Sequence, residues 1–139
     1  MADDANEKAK NAFENAMKKF QLHDVEFERA IELPNLVILL CKGKIGALIG
    51  KGGLVVGDIS KEIGGKVRIV ENTPNEKKMI SDMVGNARLL GINEVFTPQG
   101  RAIKIKINRH DRHRLVADEK AIQGAIGELT KCEAMIEFE

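Results

Sequence analysis

The stretch that decides the reading is Lys42-Gly43-Lys44-Ile45-Gly46-Ala47-Leu48-Ile49-Gly50-Lys51-Gly52-Gly53. Residues 44–49 predict one or two helical turns. Residues 54–63 predict a second helix, with Val56, Ile59 and Ile63 on one face and a stop at Gly64-Gly65. The loop Gly50-Lys51-Gly52-Gly53 between them has no side-chain bulk at its ends. Such a loop lets a phosphate backbone approach closely and meet N–H groups at the start of the second helix. Lys44 and Lys51 add positive charge. Two other phosphate motifs fit worse. A P-loop needs Gly-x4-Gly-Lys-Ser/Thr, but Gly46 and Gly50 enclose only three residues and Gly52 follows Lys51 where a hydroxyl is needed. A dinucleotide fingerprint begins at Gly50 and Gly52, but Val55 takes its third glycine position.

Working outward, residues 36–41 form a continuous apolar run of strand length, and residues 66–71 alternate as a strand. Residues 25–33 alternate with Val25, Phe27, Arg29, Ile31 and Leu33 on one parity, and Pro34-Asn35 signals a turn. Residues 7–20 place Ala9, Ala12, Phe13, Ala16, Met17 and Phe20 on one helical face. The order is helix, strand, strand, helix, glycine loop, helix, strand.

After a linker at 72–75 the order starts again. Residues 76–90 predict a helix, 92–97 a strand, and 98–100 a turn. Residues 101–107 predict a strand with Ile103, Ile105 and Ile107 inward. A short helix over 111–117, a helix over 119–131 and a strand over 134–138 complete it. Leu36, Ile38 and Leu40 match Ile103, Ile105 and Ile107 at an offset of 67 residues. A repeated apolar pattern is what two duplicated small units produce. The expectation is an α+β chain of two domains, 1–72 and 73–139, each with a three-stranded sheet and helices on one face.

Leu48-Ile49-Gly50-Lys51-Gly52-Gly53-Leu54-Val55-Val56, in that context, resembles the signature of the KH (K-homology) RNA-binding domain. The element order is similar to the type II arrangement. Two such units in so short a chain resemble the archaeal NusA-like transcription factors. The resemblance implies two tandem type II KH domains. It implies single-stranded RNA clamped by backbone at the loop, with an aliphatic groove taking about four unpaired bases. The residues it assigns to RNA are Lys44, Ile45, Leu48, Ile49, Gly50, Lys51, Gly52, Gly53, Val56 and Arg68. It implies a transcription elongation or termination factor with RNA polymerase as protein partner. The alternative is an interaction adaptor, docking on RNA polymerase or a ribosomal complex, with little RNA binding of its own.

The second half departs from the signature. Its equivalent loop falls near Val116-Ala117-Asp118-Glu119, without a glycine, and two carboxylates there repel phosphate. Its candidate contribution is an auxiliary basic patch of Arg101, Lys104, Lys106, Arg109, Arg112 and Arg114.

Net charge is +1, which speaks against nucleic acid until it is divided along the chain. Residues 1–35 carry −3 and residues 115–139 carry −4, whereas 42–72 carry +3 and 99–114 carry +5. The positive excess therefore sits on the glycine loop of one half and on the middle strand and turn of the other. Absence of Trp and Tyr disfavours stacking-based RNA modules, and the five Phe are expected in cores. His110, Asp111 and His113 have no further ligand or nucleophile beside them, so they predict a basic surface turn rather than a metal or catalytic site. Cys41 and Cys132 read as free thiols. No apolar run approaches the roughly 18 residues of a membrane span. The expected protein is a cytoplasmic monomer without enzymatic activity, cofactor or metal.

Overall fold

A computed structural model of the chain describes residues 2–139, and their side chains from 6 onward. The chain divides into two units, Met1–Pro74 and Asn75–Glu139. The protein is α+β, with one three-stranded mixed sheet in each unit.

Unit 1 runs α1 (Ala2–Lys19), β1 (Val25–Leu33), β2 (Leu36–Gly43), α2 (Ile45–Ile49), a 3₁₀ turn (Lys51–Gly53), α3 (Leu54–Ile63) and β3 (Val67–Glu71). Pro34-Asn35 closes the β1–β2 hairpin, with Asn35 at φ 65°. β3 pairs with β2 in parallel, Val37 opposite Val67 and Cys41 opposite Glu71. Parallel neighbours need a crossover connection, and α2, the loop and α3 supply it. The helical face is built from Ala9, Ala12, Phe13 and Ala16 of α1, Leu48 of α2, and Val55 and Ile59 of α3. These pack on Val25, Ala30, Leu39 and Cys41 of the sheet. The Phe13 and Phe27 rings meet at 5.8 Å.

Two details of the alternation differ from the sequence expectation. The β1 register shifts between Phe27 and Arg29, so a bulge at Glu28 swaps the inward parity. Val25 and Phe27 point to the helices before it, and Ala30 rather than Ile31 does so after it. Along β2, Leu39 and Cys41 join the helical core. Leu36, Ile38 and Leu40, which the repeat lays on Ile103, Ile105 and Ile107, are buried outside that cluster.

Unit 2 runs α4 (Glu76–Val84), β4 (Leu89–Thr97), β5 (Gly100–Ile107), a 3₁₀ turn (Arg109–Arg114), α5 (Glu119–Thr130) and β6 (Glu133–Phe138). β4 and β5 are antiparallel, and β5 and β6 parallel. Ile103, Ile105 and Ile107 are fully buried, as are Ile80, Met83, Ile122 and Ile126. Gln123 Oε1 accepts from Ile136 N at 2.9 Å, tying α5 to β6. The helix expected over 76–90 stops at Val84, because Gly85 turns the chain at φ 76° and Leu89 already pairs with Ile107. Phe96 is not core: it is 77 % exposed, close to the β4–β5 turn. No helix among the described residues is long and apolar enough to cross a membrane.

Candidate nucleic-acid interface

The middle strand β2 ends at Gly43, and α2 follows with Leu48 pointing into the core. The backbone then reverses through three left-handed glycines: Gly50 at φ 73°, Gly52 at φ 66° and Gly53 at φ 75°. Gly50 combines its φ with ψ 174°, a region that side chains essentially exclude. A Cβ there would lie 2.8 Å from Val55 Cγ2 and 3.1 Å from the Val55 backbone N. A Cβ on Gly52 would meet nothing within 4 Å. Gly50 thus answers an internal constraint, whereas the space over Gly52 is open to an incoming group.

The helix that starts here has an unusual beginning. Gly53 is the N-cap of α3, and no side chain caps it. The other two long helices with described caps both have one. Asn75 accepts from Lys78 N at the start of α4. Asp118 accepts from Lys120 N at 3.2 Å and Ala121 N at 3.3 Å at the start of α5. The first amides of a helix are orphan donors at its positive end, so a side-chain oxygen or an external anion satisfies them. In unit 2 the carboxylate of Asp118 fills that role from within, with Glu119 in the first turn. The two acids that break the glycine signature in the sequence therefore cap α5. In unit 1 no side chain fills that role: Gly53 N donates to Gly50 O at 3.4 Å and Leu54 N to Lys51 O, within the glycine turn itself.

Apolar surface flanks the glycine turn. Ile49 is 47 % exposed on one side and Leu54 63 % exposed on the other. Val56 is half-buried and does not belong to the core cluster. Ile45 is half-buried against the core, and Leu48 is fully buried. The inward row of α3 is Val55, Ile59 and Ile63, one residue earlier at its start than the sequence suggests. That rotation turns Leu54 and Val56 to the flanks of the row. Leu54 is absent from the sequence assignment, although its place directly after the last glycine and just before the inward row marks it. Lys51 is exposed. Lys44 is exposed and lies 3.9 Å from Asp24. Arg68 is half-buried on β3, opposite Ile38 of β2.

The basic residues of unit 2 divide into two groups. Arg101 is bound by Glu76 and by Glu94, which raise its pKa further above its ordinary value. Lys104 faces Glu137 at 3.8 Å, and Lys106 binds Glu139 at 3.0 Å. These three are charge-neutralised within the unit. Arg109, Arg112 and Arg114 instead lie on the exposed 3₁₀ turn after β5. Its centre is Asp111, 3 % exposed. Asp111 Oδ2 accepts from Arg88 Nε at 2.8 Å and from Arg88 N at 2.9 Å. The side-chain bond to Arg88, then the backbone one, hold the Asp111 carboxyl below the usual carboxylate range. His110 and His113 are exposed on this turn, and no group of three or more His, Cys, Asp or Glu among the described residues is arranged to hold a metal ion.

No family model matches the chain, and no curated protein does. Solved structures do. The crystal structure of APE1850 is similar with a TM-score of 0.68 and 18% identity, covering 91% of this chain and 96% of that one. At that identity the likeness establishes the α+β fold and nothing of the site.

Proposed function

We propose that the protein binds single-stranded RNA, and that unit 1 clamps the RNA backbone at Gly50-Lys51-Gly52-Gly53. The observation that carries this reading is the start of α3. It alone among the described long-helix caps lacks a side-chain acceptor: Gly53 N and Leu54 N turn back to Gly50 O and Lys51 O, and the glycines that lead into it carry no side chain over it. Lys51 supplies the charge. Ile49, Leu54 and Val56 supply apolar surface for bases, which suits a chain without Trp or Tyr. The helix-strand-strand-helix-helix-strand order with a parallel β2–β3 pair agrees with a type II KH unit. Two such units agree with a NusA-like transcription factor acting on nascent RNA.

Fluorescence anisotropy with single-stranded RNA homopolymers tests it. Replacing Lys51-Gly52 by Asp-Asp abolishes binding, measured well below a melting temperature that the left-handed backbone of residue 52 lowers by roughly 4–16 °C. Leu54→Ser weakens binding about 5- to 30-fold, the roughly 1–2 kcal/mol of an exposed leucine that a base covers. Unchanged affinity in both variants sinks the clamp. The adaptor reading draws on one observation, the exposed Phe96 and Val95 of β4. Association with RNA polymerase that survives nuclease and is lost in Phe96→Ser would favour it.

A further inference from the structure

We propose that the 3₁₀ turn Arg109–Arg114 of unit 2 is a second phosphate-binding site for single-stranded nucleic acid, formed by the guanidinium groups of Arg109 and Arg112. The inference rests on the RNA-binding reading of unit 1 for its ligand class. Its location comes from unit 2 alone. The turn stands between the middle strand and the following helix, where unit 1 has α2 and the glycine turn. The two units reach that place with different chemistry. Unit 1 offers backbone amides, whereas unit 2 has closed its helix start with Asp118 and offers arginines.

The turn is built to hold its shape. Asn108 caps it by accepting from His110 N at 2.9 Å. Arg109 N donates to Glu139 O at 2.9 Å. Buried Asp111 accepts from Arg88 on one oxygen and lies 3.8 Å from Arg114 Nε on the other. The only acid in the turn is therefore turned inward and spent on Arg88 and Arg114. Arg109 and Arg112 have no carboxylate partner among the described residues. The Arg112 guanidinium stacks over the Phe138 ring at 4.1 Å. Stacking fixes the plane of a guanidinium and leaves its N–H edge for two phosphate oxygens. Lys104 and Lys106, on the same unit, are held by Glu137 and Glu139 and serve as the internal comparison.

The test is an anisotropy titration of the full chain with a single-stranded 12-mer RNA at 50 and 200 mM salt. Arg109→Gln/Arg112→Gln lowers affinity and makes the salt slope shallower by about 1.4, from about 0.7 per phosphate on a single strand. The wild-type advantage then shrinks about sevenfold between the two salt concentrations. Lys104→Gln/Lys106→Gln leaves the slope unchanged. Arg109→Gln alone, whose side chain is exposed, repeats the effect at half size should the double variant melt early. Wild-type slope and affinity in Arg109→Gln overturn the proposal while leaving the unit 1 clamp standing. Retained binding in the Lys51-Gly52→Asp-Asp variant overturns the clamp instead. An oligoglutamate 12-mer that binds the turn as tightly as RNA, and loses that binding in the arginine variant, marks it as a protein dock and also overturns the proposal.

Discussion

Gly50 and Gly52 are two residues apart in one loop, yet alanine at each position should break a different property. At Gly50 an alanine must adopt φ 73° with ψ 174° and place its methyl 2.8 Å from Val55 Cγ2. Strain in that backbone region costs about 1–3 kcal/mol, and overpacking of this kind about 1–3 more. The expected loss for Gly50→Ala is about 4 kcal/mol, because Val55 is anchored in the core and its backbone N lies in the way as well. At Gly52 the methyl meets nothing, so only the left-handed backbone is penalised, by about 1–2 kcal/mol. For a unit of this size 1 kcal/mol shifts a melting midpoint by roughly 4–8 °C. Urea and thermal melts followed by circular dichroism should place Gly50→Ala roughly 8–24 °C below Gly52→Ala. RNA affinity measured well below both midpoints reverses the order of interest. Gly52→Ala, folded but with a methyl in the proposed clamp, should bind weakly. A Gly50→Ala protein as stable as wild type would refute the internal role of that glycine. So would a Gly52→Ala protein that is less stable than Gly50→Ala.

Two further predictions concern protons and thiols. The Asp111 carboxyl has its pKa lowered by Arg88, so its ionised form stabilises unit 2 fully above the ordinary carboxylate pKa of about 3.9 and loses that contribution as pH falls through the lower folded value. Melts between pH 6 and 2 should show an acid loss in unit 2 that Asp111→Asn, already less stable at pH 6, displays much less. The Cys41 thiol is fully buried, and burial, then Glu28, pushes its pKa up to about 12. Iodoacetamide at pH 8 should label half-buried Cys132 first and Cys41 only on unfolding, as peptide mass mapping would register.

Much of this was legible in the residues. Element order, both hairpin turns and the glycine reversal follow from local signals: Pro34-Asn35, Pro98-Gln99-Gly100, and the clustered glycines. What was not legible needed a third dimension. The bulge at Glu28 has no signature, because Arg29 and Ile31 keep a clean alternation in the sequence while the pairing with β2 does not. The inward row of α3 could be set only by where the glycine turn releases the chain, so Leu54 escaped notice. Phe96 follows the general preference of phenylalanine for interiors, and the hairpin carries it out to solvent regardless. The carboxylates Asp118 and Glu119 were visible as an obstacle to phosphate but not as a cap. Charge counting found six cations over residues 99–114, yet only geometry could separate those held by Glu76, Glu94, Glu137 and Glu139 from those on the turn.

The parallel pairing of β2 with β3 carries a consequence for the order of folding. β1 and β2 meet across a two-residue turn, a closure that takes microseconds. β3 can join only after the intervening 23 residues, from 44 to 66, have been folded back on the sheet. Late, non-local pairing of this kind is the slow step in small mixed domains. The glycine turn sits in the middle of that segment, so its formation belongs to the same late step. Mutations there should slow refolding more than they speed unfolding, and the candidate RNA contact would form only as the unit completes its sheet.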